Sequence, residues 1–338
     1  MRSLILRIIR QFANDKRSLA LMLIVPVLIM SLLYLLLGES SYTPAIAVAG
    51  DFPDTVLSAL KDQDAKISTL PDNADTDRFL EDKEADAVLT MDENGLHVRM
   101  LETSSVKTAG VTDVIKSAMQ EINPRGSMDI TYIYGRTDAT AFDSLGYMLL
   151  GVLSFFFVFI ISGISFVRER TTGTMERLML TPVKRSGVVA GYTVGFGIFS
   201  ALQSVILVLF TKYVLNMEFE GSVLLAILIM VLLAFIAVSM GAFVSIYANS
   251  EFQVMQFIPV IVIPQIFFSG LISIDTLPFG LGNLSYIMPV YYGCTGLENV
   301  LIRGYGLDKI LFYLLILLLF IVVLFFLNTL ALKKYRRL

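Results

Sequence analysis

Cysteine, histidine and tryptophan are almost missing from this sequence of 338 residues. Cys294 is the only cysteine, His97 is the only histidine, and tryptophan does not occur. A single cysteine excludes an intrachain disulfide framework, and a single histidine excludes histidine-rich metal sites and histidine-based triads. The residues on either side of His97 are apolar, so we interpret His97 as part of a strand.

Charged side chains are also scarce, because they make up 16% of the residues whereas hydrophobic ones make up 56%. Soluble domains have about 25% charged and about 45–50% apolar residues. The excess lies in long uncharged runs, which indicates membrane spans rather than one large soluble core. Six runs without Asp, Glu, Lys or Arg are long enough to cross a bilayer: 19–37, 144–167, 186–211, 221–247, 254–272 and 310–332.

The segment 39–142, between the first two runs, has a different composition. It holds 19 acidic and 9 basic residues, whereas the rest of the chain is basic. Its patterns predict strands and helices in alternation, with strands at 44–50, 66–70, 85–91 and 96–101 and helices at 53–61, 74–84 and 106–122. We therefore expect a small α/β domain without a catalytic constellation, whose carboxylates form a solvated face.

The distribution of basic residues predicts the orientation. Arginine and lysine are concentrated in 1–18, in the loop 168–185 and in the tail 333–338. Because basic flanks stay on the cytoplasmic side, we expect both termini in the cytoplasm and 39–142 outside. The loop 249–253 is assigned to the inside as well, although it carries no basic residue.

Residues 1–18 show a two-faced helical period. One face is apolar and the opposite face is polar and basic, with Ile5, Ile8, Ile9 and Phe12 on the first and Arg7, Arg10, Gln11 and Asn14 on the second. Such a helix lies in the membrane interface. We thus predict a cytoplasmic interfacial helix over 1–18, a first transmembrane helix over 19–38 and a five-helix transmembrane domain over 143–332.

The segment 273–307 is apolar but repeatedly interrupted by proline and glycine. Two interpretations stay open: short helices that re-enter the outer leaflet, or a plain outer loop. Non-helical backbone at membrane depth has to be buried in protein or line a wet cavity.

The loop between the second and third runs contains Arg168–Val183, with the sequence RERTTGTMERLMLTPV. Gly173 permits a tight turn, Thr174 is a candidate N-cap, and Glu176 suits the first turn of a helix. Pro182 would end that helix. We predict a short cytoplasmic helix within about 169–183.

One face of this short helix is apolar, since Met175, Leu178 and Met179 lie at helical spacing. A compact apolar face ringed by charges is suited to fill a groove on another protein. We therefore expect the face to be exposed.

This motif resembles the signature of type-2 ATP-binding-cassette (ABC) exporter permeases, in which Arg-Glu-Arg, Gly-Thr, Glu, Leu and Thr-Pro recur. The stretch IPQIFFSGLISIDTLP (263–278) is similar to that family too. The sequence departs from the family after Thr-Pro, where Ser186-Gly187 and Tyr192 stand in place of an acidic residue and a lysine. The implied fold is a polytopic α-helical membrane protein, with six transmembrane helices and an extracytoplasmic α/β domain inserted between the first and second.

The resemblance implies that a separate ABC ATPase docks on the short helix, called the coupling helix, and moves it. The residues implied in ATPase coupling are Arg168, Glu169, Gly173, Thr174, Glu176, Leu178 and Pro182. The alternative is that Arg168 and Arg170 only set topology while the glutamates pair with nearby arginines. The chain has no G-x-x-x-x-G-K-[ST] sequence, so ATP and Mg would be bound by the partner subunit and this chain would need no cofactor.

The resemblance also implies pairing with a second permease, identical or sibling, with cargo moving between the two along the second and fifth spans. The residues proposed to line this path are Phe155, Phe159, Gln265, Phe267 and Phe268. Aromatic walls suit a small amphipathic or lipophilic substrate, although the same residues could face lipid or neighbouring helices. Gln203, in the third span, is expected to hydrogen-bond between helices.

We therefore expect a non-enzymatic permease subunit of an ABC exporter in the plasma membrane, moving a drug, an antibiotic or a lipid-like molecule, without a nucleic-acid partner. A second class stays open: a membrane sensor or scaffold whose outer domain binds a ligand and signals through the short helix. The two differ in their need for ATP.

Overall fold

The structure is a computed structural model that describes residues 2–37, 44–50, 52–63, 65–71, 76–81, 85–92, 95–100, 105–122, 141–181, 183–271 and 278–332. The chain divides into two compact units, one formed by residues 1–38 together with 134–338 and the other by residues 39–133.

Helices dominate the described residues, and strands occur only in the second unit. The helices are α1 (Arg2–Asn14), α2 (Lys16–Leu37), α3 (Asp54–Lys61), α4 (Thr76–Glu81), α5 (Ser105–Ile122), α6 (Ala141–Thr171), α7 (Thr174–Met179), α8 (Arg185–Tyr213), α9 (Val223–Tyr247), α10 (Glu251–Ile266), α11 (Pro289–Leu301) and α12 (Leu307–Ala331). The strands are β1 (Ala45–Ala49), β2 (Lys66–Leu70), β3 (Ala87–Asp92) and β4 (Gly95–Met100).

Within the described residues, six helices are long and apolar enough to cross a membrane: α2, α6, α8, α9, α10 with the turn after it, and α12. Each falls on a predicted run, so the prediction of six spans is confirmed. The largest difference is at the end of α6, which continues to Thr171, four residues beyond the uncharged run. The added turn contains Arg168, Glu169 and Arg170, whose side chains bind neighbouring elements as described below.

The helix predicted at the start of the chain is present as α1, and it is separated from the first span by Asp15. The carboxylate of Asp15 accepts hydrogen bonds from the hydroxyl of Ser18 (2.7 Å) and from its backbone N–H (3.2 Å). Asp15 thus caps the start of α2. The hydroxyl of Ser18 holds the pKa of Asp15 below its ordinary value.

The core of the first unit is built around α9, which packs against α6, α8, α11 and α12. Its residues Leu233 and Ala237 are fully buried. The outer helices α2, α10 and α12 bury only one side and leave apolar side chains exposed on the other. Such exposed faces suit a lipid surrounding.

Part of the segment that the sequence left open is helical. A 3₁₀-helix covers Pro278–Ile287 and α11 follows directly. Cys294 and Leu297 of α11 are fully buried, because α11 packs against α6, α9 and α12. The interpretation as a plain loop is therefore wrong for Pro289–Leu301, whereas residues 272–277 lie outside the described ones.

The second unit contains a four-stranded sheet in the order β2-β1-β3-β4. β1 pairs in parallel with β2 and β3, and β3 and β4 form the predicted antiparallel hairpin, in which His97 lies opposite Thr90. Helices α3 and α5 supply the apolar side chains on one face, and Leu80 of α4 packs on the other. All the predicted strands and helices are present, although 72–75 and 82–84, which flank α4, lie outside the described residues.

Candidate functional site

The predicted turn before the short helix is confirmed. Gly173 has φ 72°, in the left-handed region that favours glycine, and it is the N-cap of α7. The assignment of Thr174 as the N-cap is wrong, because the glycine already makes the turn and Thr174 is the first helical residue. The Thr174 hydroxyl lies 3.2 Å from that of Thr172.

The apolar face of α7 points into the bundle, so the expectation that this face is exposed is wrong. Met175 is buried, and Leu178 and Met179 are half-buried against the bundle. The exposed side carries Glu176 and Arg177.

Beyond the end of α7, the side chain of Leu180 is 88% exposed. The outward surface of α7 therefore consists of two exposed charged side chains, one acidic and one basic, next to one exposed leucine. Pro182 lies outside the described residues.

Arg168 at the end of α6 joins two other elements. Its guanidinium pairs with Glu251 in the first turn of α10 at 3.0 Å and lies 3.6 Å from the carboxylate of Asp15. This contact explains how the loop 249–253 lies at the same end of the bundle as α7 without a basic residue of its own. Its position depends on the arginines of α6 rather than on flanking charge.

Glu169 is buried and its side chain is 6% exposed. It accepts hydrogen bonds from Arg7 Nη2 at 2.9 Å, from the hydroxyl of Tyr192 at 2.8 Å, and from the amide of Gln11. Arg7 also donates to the Tyr192 hydroxyl at 3.0 Å. A buried carboxylate is stable only with such partners, and these partners tie α6 to α1 and α8.

Arg170 binds the end of a third helix. Its guanidinium donates to the carbonyl oxygens of Ser245 and, at 2.9 Å, of Ala248, where α9 ends. The last carbonyls of a helix have no partner within the helix and carry partial negative charge, so an arginine there stabilises the end of α9.

Three consecutive residues of α6 thus bind different elements just before the turn to α7. The alternative interpretation holds for Glu169, which does pair with an arginine, but Arg168 and Arg170 do more than set topology. We use the name α6 hub for Arg168, Glu169 and Arg170 together with the side chains that they bind. Because Glu169 is buried and bonded, it cannot present its carboxylate to a docking protein.

Several hub residues were not predicted from the sequence. Arg7 and Gln11 were assigned only to the polar face of an interfacial helix, and Asp15, Tyr192 and Glu251 were given no binding role. One signal could have found the first two. Their spacing of four residues places them on one side of a helix, and a lone glutamate at the end of a span needs such donors.

Helix α1 fits against two glycines of α8. A Cβ added at Gly191 would lie 2.6 Å from Leu4 Cδ2, and one added at Gly195 would lie 2.7 Å from Ile8 Cγ2. Further along, the ring of Phe12 packs edge-on against that of Phe196, with 5.4 Å between centroids. The close approach at the glycines brings Arg7 and Gln11 within reach of Glu169.

The residues proposed to line a cargo path do not share one surface. Phe155 and Phe159 are buried inside the chain and stack with centroids 6.0 Å apart. Gln265 is also buried and accepts a hydrogen bond from the backbone N–H of Val290 at 3.1 Å, which ties α10 to α11. Phe267 is 52% exposed and Phe268 is half-buried, so only these two can line a surface shared with another chain.

Among the described residues, six helices can span a membrane, and the short, partly exposed helix α7 follows the second of them. Residues 16–330 match the family described as ABC-2 family transporter protein, and the chain belongs to this family. The resemblance inferred from Arg168–Val183 and from the stretch 263–278 is therefore confirmed.

Curated relatives agree with this family. The chain is 25% identical to ABC transporter G family member 20 of Dictyostelium discoideum over 249 residues, which is 73% of this chain and 34% of the relative. It is 25% identical to the probable multidrug ABC transporter permease YbhR of Escherichia coli over 161 residues, 47% of this chain and 44% of the relative. It is 27% identical to the inner membrane transport permease YhhJ of Escherichia coli over 180 residues, which is 53% of this chain and 47% of the relative. The matches thus span about a third to a half of these relatives.

Proposed function

We propose that this chain is the permease subunit of an ABC exporter and that a separate ATPase docks on α7. The α6 hub carries this proposal. Helix α7 is joined through Gly173 to the last turn of α6, which is bonded to α1, α8, α9 and α10. A partner that moves α7 therefore acts on most of the bundle at once.

The docking surface that we propose is the outward side of α7. Leu180 is the apolar contact and Glu176 and Arg177 supply the charges around it, since these side chains are exposed. An exposed leucine beside a charge pair suits a groove on the partner. The roles of the predicted coupling residues then divide. Gly173 makes the turn, Thr174 begins the helix, Leu178 holds α7 to the bundle, and Arg168 and Glu169 transmit the motion.

The proposal includes an orientation. The end of the bundle that carries α7, α1 and the last residues of α12 faces the cytoplasm of a plasma-membrane protein, and residues 39–133 form the extracytoplasmic α/β domain. ATP and Mg are bound by the partner ATPase, which supplies the chemistry that this chain lacks. The unequal distribution of arginine and lysine supports this orientation.

A second permease, identical or sibling, completes the transporter in this proposal. The outer face of α10 and of the turn after it suits this contact, because it exposes Val260, Ile263 and Phe267. Cargo would pass along that face as a small amphipathic or lipophilic molecule. The printed name of YbhR, a probable multidrug permease, supports the cargo class, although the match covers less than half of that protein.

Co-purification with candidate ABC ATPases tests the proposal. The full chain is expressed with each ATPase, and Leu180→Asp and Glu176→Lys are compared with Lys212→Glu, which changes a charge at the opposite end of α8. We expect the first two variants to lose the ATPase and its substrate-stimulated hydrolysis while their melting temperature stays unchanged. The control should keep both. Normal association and hydrolysis in Leu180→Asp would refute docking on this surface.

The same preparation distinguishes the sensor or scaffold class. A sensor would respond to a ligand of residues 39–133 without ATP, whereas a permease moves no cargo unless its partner hydrolyses ATP. Ligand-driven signalling that persists with a hydrolysis-deficient ATPase would favour the sensor.

A further inference from the structure

Four basic side chains at the start of the chain form no ion pair within the part of the chain that the structure describes. Arg2, Arg10, Lys16 and Arg17 are exposed, and none forms an ion pair with any described residue. Arg7, in the same helix, is instead bonded to Glu169. The unpaired bases thus form the outer edge of α1 and the first turn of α2.

An apolar stripe continues from this basic edge. Leu21, Ile24 and Leu28 follow Arg17 at spacings of four, seven and eleven residues, so all four lie on one side of α2. These apolar side chains are 52%, 60% and 58% exposed. A phosphate-bearing headgroup at the bases would place its acyl chain along the stripe.

We propose that Arg10, Lys16 and Arg17 form a binding site for an anionic phospholipid, with Leu21, Ile24 and Leu28 contacting its acyl chain. Guanidinium groups form strong charge-assisted hydrogen bonds with phosphate. Anionic leaflets attract basic residues next to a span, by about fivefold in affinity for each base. The proposal goes beyond the permease function and does not depend on an ATPase.

The position of the site gives the bound lipid a structural effect. Lys16 and Arg17 directly follow Asp15, which lies next to Arg168, and Arg10 is one turn from Arg7. A lipid bound there holds the junction of α1 and α2 in the arrangement that supports the α6 hub. A ligand that binds only the folded arrangement stabilises it.

Native mass spectrometry of the purified full chain tests the site with dioleoyl-phosphatidylglycerol (DOPG) and dioleoyl-phosphatidylcholine (DOPC) as probes. We expect tight DOPG adducts and few DOPC adducts. The variant Arg10→Gln/Lys16→Gln/Arg17→Gln should bind DOPG more than tenfold more weakly. The matched control Lys212→Gln/Lys309→Gln removes bases from the other end of the bundle and should bind DOPG like the unsubstituted protein.

A melting experiment separates loss of the site from loss of the fold. In DOPC the triple variant should have the same melting temperature as the unsubstituted protein. When DOPG is added, the melting temperature of the unsubstituted protein should rise, whereas that of the triple variant should not. Soluble glycerol phosphate should not compete, since it has no acyl chain. Equal DOPG binding by the triple variant, an equal loss in the control, or competition by glycerol phosphate would each overturn the proposal.

Discussion

The ion pair between Arg7 and Glu169 yields a quantitative prediction for the α6 hub. Arg7→Met removes the cation and leaves the buried carboxylate of Glu169 with the neutral donors Gln11 and Tyr192. Removing one partner of a buried pair costs about 3–5 kcal/mol. Arg7 keeps 37% of its side-chain area exposed and two donors remain, so we expect about 2–3 kcal/mol.

The assay uses the one cysteine of the chain. Cys294 is fully buried, so a thiol-reactive fluorophore labels it only when the bundle opens. Thermal unfolding followed by this dye should show Arg7→Met melting several degrees below the unsubstituted protein. The control is Arg303→Met, which breaks a more exposed pair with Glu298 and should cost about 0–1 kcal/mol.

A double variant tests the physical reason. In Arg7→Met/Glu169→Gln the buried charge is gone along with its partner, so the double variant should be more stable than Arg7→Met alone. The two effects are thus strongly non-additive, as expected for groups in direct contact. Two results would show that the stability of the hub does not depend on this pair. One is that Arg7→Met lowers the free energy of unfolding no more than Arg303→Met does. The other is that the double variant loses as much stability as the two single variants together.

Three further predictions concern packing and backbone, and each is read from the same melting assay. Gly195→Val should destabilise the protein by about 1–3 kcal/mol, because the new side chain overlaps with Ile8. Adding Ile8→Ala should restore part of this loss. If it restores none, the close packing of α1 against α8 is contradicted. Both amide atoms of Gln203 are buried without a partner among the described residues, contrary to the expected interhelical hydrogen bond, so Gln203→Leu should stabilise by about 1–2 kcal/mol; a lower melting temperature would indicate a bound partner. Gly173→Ala should cost about 1–2 kcal/mol because of the positive φ, and an unchanged melting temperature would show that the turn adapts.

Hydrophobic runs predicted the spans well, because a helix in lipid needs about 20 apolar residues whatever its neighbours are. The elements of 39–133 were also predicted, since strand and helix periods differ and turns separate them. These features depend on local sequence. The existence of α7 followed in the same way from Gly173 and the short period after it.

The orientation of side chains could not be predicted, because it depends on which helix packs where. The apolar face of α7 is the same whether it meets a partner or the chain's own bundle, and only the fold decides between the two. Likewise the polar side of α1 fits solvent as well as it fits Glu169. Residues 158 and more positions apart in sequence meet at this carboxylate, and no local pattern encodes such a contact.

The order Arg168, Glu169, Arg170 restricts how α6 can move. Successive helical residues are about 100° apart around the axis, so the three side chains bind neighbours over an arc of about 200°, which is more than half of the helix circumference. Rotation of α6 by one residue position would turn the carboxylate of Glu169 towards the partners of Arg168 or of Arg170. These partners carry negative charge, as the carbonyl oxygens at the end of α9 do, so like charges would then meet. Twisting of this end of α6 alone would therefore break all three sets of contacts, whereas a shift together with its neighbours would keep them. In the proposed transporter, a force applied at α7 would reach the bundle as translation rather than torsion.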